Sequence, residues 1–91
     1  LGYMHGGMVA AILDTAGGFA AFTVVPSNCH IVTSELKINY MRPVISKKVF
    51  GIGEVISQGK KLIVVEATLK DEEDNMLAKM MATMFVVEDK K

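Results

Sequence analysis

"LGYMHGGMVAAILDTAGGFAAF", residues 1–22, is the stretch on which the reading of this 91-residue chain turns. From Gly6 to about Val24 the residues are small or good helix formers, and Pro26-Ser27-Asn28 supplies the stop. The spacing predicts one helix of about five turns. Its apolar residues fall on every side, so it needs cover on nearly all sides. The one charge between Met8 and Phe22 is Asp14. A carboxylate among Ile12, Leu13, Ala16 and Phe19 is strongly disfavoured unless it is paired, hydrogen-bonded or reached by water.

After the helix the period changes from that of a helix to that of strands. From Ile31 to Met41 residues alternate, with Val32, Ser34, Leu36, Ile38 and Tyr40 on one face and Thr33, Glu35, Lys37 and Asn39 on the other. Further strands are expected from about Lys48 to Ser57, from Lys61 to Asp71, and from Met76 to Glu88. Ser57-Gln58-Gly59-Lys60 and Asp71-Glu72-Glu73-Asp74-Asn75 form the turns between them. Gly51 and Gly53 mark a bend, a bulge or the close approach of another backbone. Leu62, Val64, Glu66 and Thr68 stand opposite Ile63, Val65, Ala67 and Leu69. The predicted layout is a single α+β domain over residues 1–91, a meander of antiparallel strands curled around one helix. Four strands cover only part of that helix, which leaves upstream residues or a second copy of the chain to cover the rest. The chain starts at Leu1 and enters a helix almost at once, which implies residues upstream.

Composition narrows the class. A hydrophobic fraction of 51% with a formal net charge of zero excludes disorder and the basic field of nucleic-acid binders. Asp14, the threonines and Gly17-Gly18 break the longest apolar run, so no membrane span is expected. Cys29 has no partner for an internal disulfide, which points to a reducing, cytoplasmic setting. His5 and His30 recur in no ligand spacing, so no metal site is expected.

His5-Gly6-Gly7 opens the helix, where unsatisfied amides and the positive end of the dipole can receive a developing negative oxygen. Gly6 and Asp14 are eight residues apart, about 12 Å along the axis. A general base and an oxyanion donor must each lie within about 3 Å of a single reacting group. If both serve one substrate, they come from two helices lying antiparallel across a two-fold axis, each site taking Gly6 from one chain and Asp14 from the other.

His5-Gly6-Gly7 followed by Asp14 and "DTAGGFA" resembles the HGG-x6-D signature of hot-dog-fold acyl-CoA thioesterases of the phenylacetate-pathway and 4-hydroxybenzoyl-CoA type. "VTSELKINYMRPV" resembles that family's second strand and "GKKLIVVEATLKDEEDNMLAKMMATMFVV" its last hairpin. The resemblance implies a sheet wrapped around a long central helix, assembly into dimers or dimers of dimers, and an acyl-CoA substrate, with coenzyme A as part of that substrate and no other cofactor. It places Asp14 as base or nucleophile, Gly6 as amide donor with Gly7 beside it, His5 as the motif histidine near the substrate, and Thr33 as the residue that orients water. Family members carry a further first strand and a polar loop residue upstream of HGG, which this sequence lacks.

Arg42, Lys47, Lys48, Lys60 and Lys61 are either solvated charges or, for some of them, contacts to the phosphates of coenzyme A. Met80, Met81 and Met84 are expected in the core. Two other functions fit the same pattern: a hydratase or dehydratase acting on acyl thioesters, and a module that binds acyl-CoA without turning it over.

Overall fold

The computed structural model describes residues 6–45 and 48–89. Helix α1 runs over Gly6–Phe22 and is followed by strands β1, Cys29–Tyr40, β2, Val49–Gln58, β3, Leu62–Asp71, and β4, Met76–Glu88. The strands form one antiparallel sheet, and α1 lies across one of its faces in contact with all four strands. This is the α+β, hot-dog arrangement expected from the sequence.

The order in the sheet is β1-β4-β3-β2. Strands β2, β3 and β4 form a meander, but β1 pairs with β4 rather than with β2, which corrects the expectation of a continuous meander. The segment after Tyr40 therefore crosses from one sheet edge to the other. It passes the start of α1, where Val44 is buried and the amides of Met41 and Arg42 both donate to the carbonyl of Leu77.

A single stripe of α1, formed by Val9, Leu13, Gly17 and Ala21, is buried against the sheet. Facing it are Ile63, Val65, Ala67 and Leu69 of β3, one of the two faces that the alternation separates, together with Met80 and Met84 of β4. Met81 points to the other side and is 48% exposed, so two of the three methionines expected in the core are there. The helix sits close because glycines let it. A Cβ built on Gly53 would lie 2.2 Å from the carbonyl oxygen of Ala16, and one on Gly17 would lie 2.9 Å from Met80 Cε. Close approach of another backbone is thus the reason for Gly53.

Strand β1 does not alternate strictly. The register with β4 slips between Thr33 and Glu35, with Ser34 as the extra residue. Such a bulge shifts every later side chain to the other face. Ile31 and Thr33 therefore share the helix-facing side with Leu36, Ile38 and Tyr40, opposite Val86, Met84, Ala82, Met80 and Ala78. Val32 joins Phe85 and Leu62 on the outer face. Strict alternation would leave Thr33 on the polar face, and the bulge is what turns it toward the helix.

The side of α1 away from the sheet stays apolar and open. Met8 is 59% exposed, Phe19 69% and Phe22 56%. Gly18 belongs to this side, where the nearest atom to an added Cβ is Ile31 Cδ1 at 3.9 Å. Four strands cover part of the helix and no more, as expected.

Candidate active site

Asp14 lies in the third turn of α1, half-buried at the border between the sheet-facing stripe and the open side. Its Oδ1 accepts a hydrogen bond of 2.8 Å from the hydroxyl of Thr33. It makes no ion pair among the described residues. A carboxylate held by one hydroxyl, with no neutralising cation, keeps its second oxygen for another donor. Of the two neighbouring hydroxyls, Thr33 reaches it and Ser34, the bulged residue, is exposed.

Gly6 and Gly7 form the exposed first turn of α1, which carries no acidic side chain. Positive potential at the helix start is therefore not cancelled by a carboxylate of that turn. The hydroxyl of Tyr40 donates to the carbonyl oxygen of Gly6 at 3.2 Å. Gly6, Val9, Tyr40, Met41, Arg42 and Val44 line an open cleft of about 310 Å³ beside this turn. His5 lies outside the described residues.

The chain does not bring its candidate groups to one point. Gly6 and Asp14 belong to one rigid helix, so the separation of about 12 Å along its axis stands. Arg42 borders the cleft at the start of α1, and its charge adds a little to the Asn75 amide, which chiefly holds the Asp71 carboxyl below the usual carboxylate range. Lys60 lies at the other end, in a cleft beside Val24, Val25 and Pro26, just past the last turn of α1, with Lys61 next to it. His30 is exposed, with its Nδ1 2.5 Å from Asp89 Oδ1 across the β1–β4 edge.

Tyr40 is the residue near the site that the sequence did not single out. It is seven positions after Thr33, an odd number that puts the two on opposite faces of a regular strand. A bulge between them reverses this, and nothing in the local residue pattern around Ser34 announces a bulge. No group of three or more His, Cys, Asp or Glu side chains among the described residues is placed to hold a metal. No helix among them is long and apolar enough to cross a membrane.

A family model described as the thioesterase superfamily matches residues 1–78. A protein of Saccharolobus solfataricus, named as a candidate esterase, is 35% identical over 89 residues, which cover 98% of this chain and 63% of that one. Among solved structures, a Bacillus halodurans protein determined with CoA superposes with a TM-score of 0.90 at 33% identity, over 93% of this chain and 56% of its own. A thioesterase of Haemophilus influenzae superposes with a TM-score of 0.92 at 26% identity, over 97% of this chain and 62% of its own. This chain therefore spans less than two thirds of the length of each of these relatives.

Proposed function

This chain belongs to the thioesterase superfamily, and from that premise we propose that it hydrolyses the thioester of an acyl-coenzyme A to a carboxylic acid and free coenzyme A. The observation that carries the reading is the setting of Asp14: a half-buried carboxylate on an otherwise apolar helix, bonded by Thr33 at 2.8 Å and, among the described residues, by no cation. A residue kept ionised only to stabilise the fold would be joined to a lysine or arginine, or capped by backbone amides.

Asp14 acts as the general base. The oxygen not bonded to Thr33 takes a proton from water as the water oxygen attacks the thioester carbon, while Thr33 fixes the carboxylate and lies beside the water's path. The carbonyl oxygen becomes negative and is received by the first-turn amides at Gly6 and Gly7 of the partner subunit's helix. Collapse of the tetrahedral species breaks the C–S bond, and the departing thiolate recovers the proton from Asp14. Water is the second substrate and no further cofactor is required.

Two antiparallel copies of α1 complete each site, because one helix cannot present both groups to one carbon. The open side of α1 supports this: Phe19 and Phe22 would be covered, and Gly18 leaves room for a second backbone. The same arrangement lays the end of one helix beside the start of the other. Arg42 of one subunit would then share an end of the groove with Lys60 and Lys61 of its partner, next to the phosphates of coenzyme A. The CoA found with the Bacillus halodurans relative supports coenzyme A as the carrier. A dimer, or a dimer of dimers, in the cytoplasm is the assembly this reading implies.

The test is release of free thiol from a panel of aromatic and aliphatic acyl-CoAs by the wild type and Asp14→Asn. Carboxylate and amide are nearly the same size, so the exchange tests chemistry rather than packing. A loss of about a hundredfold or more is expected for a base. No thiol from any ester with the folded wild type would remove the hydrolase reading, and altered acyl saturation without thiol would replace it by a hydratase.

A further inference from the structure

Side-chain hydrogen bonds from β1 reach two residues of α1 that the proposed chemistry uses. Thr33 reaches Asp14, and Tyr40 reaches Gly6. The proposed hydrolysis uses the first and leaves the second without a purpose.

The bond from Tyr40 falls where the helix is weakest. Two consecutive glycines, Gly6 and Gly7, make its first turn, and glycine gives up more conformational freedom on folding than any other residue. The peptide unit is planar, so a hydrogen bond on the Gly6 carbonyl fixes the whole plane between Gly6 and Gly7. Tyr40 adds packing to that bond: a Cβ placed on Gly6 would lie 3.7 Å from the phenol oxygen and 3.9 Å from ring carbons Cε1 and Cζ. The ring thus lies against the glycine backbone and walls the cleft at the start of α1. Because the bulge at Ser34 puts Tyr40 on the same face as Thr33, one strand braces Asp14 for one site of the proposed dimer and Gly6 for the other.

We propose that Tyr40 is a positioning residue: its hydroxyl holds the first turn of α1 in the orientation in which the turn's amides meet the thioester oxygen. This rests on the hydrolase reading, since it assigns Tyr40 no contact with a reacting atom and gives it work only if an oxyanion forms at that turn.

Tyr40→Phe removes the hydroxyl and keeps the ring. One net hydrogen bond corresponds to about a fivefold effect, so kcat should fall about fivefold at unchanged KM. Two non-hydrolysable ligands separate positioning from structure. A trifluoromethyl ketone analogue of the acyl-CoA, whose hydrate presents the tetrahedral oxygens of the attacked carbonyl, should bind about fivefold more weakly to Tyr40→Phe. A thioether analogue with no carbonyl oxygen should bind as it does to the wild type. Equal weakening of both ligands, or an unchanged kcat, would overturn the proposal. If the wild type releases no thiol at all, the hydrolase reading fails by itself, and the hold on the helix is then read from amide hydrogen exchange over residues 7–11. Faster exchange in Tyr40→Phe supports it, and unchanged exchange refutes it.

Discussion

Replacing Gly53 by alanine sets intrinsic propensity against tertiary packing. In a strand interior, alanine is favoured over glycine by roughly 0.5–1 kcal/mol because less backbone entropy is lost. On that ground alone Gly53→Ala would raise the melting temperature. The structure requires the opposite. The new Cβ would stand 2.2 Å from the carbonyl oxygen of Ala16, 2.6 Å from its carbonyl carbon and 3.1 Å from the amide nitrogen of Gly17. All three atoms are helix backbone, and no rotamer can move them aside. Relief to an ordinary contact of a little over 3 Å needs α1 to lift from β2 by about 1 Å, and a gap of that size forfeits up to about half of each dispersion contact it opens. Leu13 and Val9 would lose contact with the buried side chains beneath them. Overpacking of this kind costs about 1–3 kcal/mol where side chains can adjust, and backbone against backbone belongs at the upper end. At 4–8 °C per kcal/mol for a domain of this size, Gly53→Ala should melt at least about 10 °C below the wild type. Thermal unfolding followed by circular dichroism measures it. An unchanged or higher melting temperature would show that α1 does not rest on Gly53, and would refute close backbone approach as the reason for that glycine.

Three further outcomes follow from other parts of the molecule. Thr33→Val keeps the shape and removes the bond to Asp14 Oδ1; loss of a hydrogen bond to a charged group should lower kcat about tenfold, Thr33→Ser should restore most of it, and steady-state thiol release decides. Phe19→Glu puts a charge on the open side of α1, where Phe19 is 69% exposed; light scattering should then show monomers with intact circular dichroism and no thiol release, and a fully active monomer would sink the shared site. Asp71 closes the β3–β4 turn by accepting hydrogen bonds from the amides of Asn75 and Glu73, at 2.9 and 3.0 Å, which, with the Asn75 amide foremost, hold its carboxyl below the usual carboxylate range. A carboxyl depressed in the folded state stabilises the fold above its unfolded pKa, about 4, and ceases to do so as pH falls through the folded value. The stability difference between the wild type and Asp71→Asn should therefore be constant near neutral pH and shrink below about pH 4, as denaturant titrations at several pH values would show.

Much of this protein is legible in one dimension. The helix, the four strands and their turns follow from local periodicity, from Pro26 and from the Asp71–Asn75 turn, because those signals act between residues close in the chain. If Gly6 and Asp14 serve one substrate, as proposed, arithmetic alone calls for a second copy, since a helix has a fixed rise and a reacting carbon has a fixed reach. Gly53 announced a bend, a bulge or a close approach, and only the packed helix shows which. Order in the sheet was not legible: β1 lies beside β4 because the helix occupies one face and the chain must pass its end to reach the far edge. Nor was the face that Thr33 presents. One extra residue at Ser34 reverses the parity of the strand, and a bulge is fixed by the register with β4, about 50 residues farther along, rather than by the residues around it. Side-chain identities thus determined which chemistry the chain carries, while the register between distant strands decided that Thr33 and Tyr40 both turn toward the helix to hold it in place.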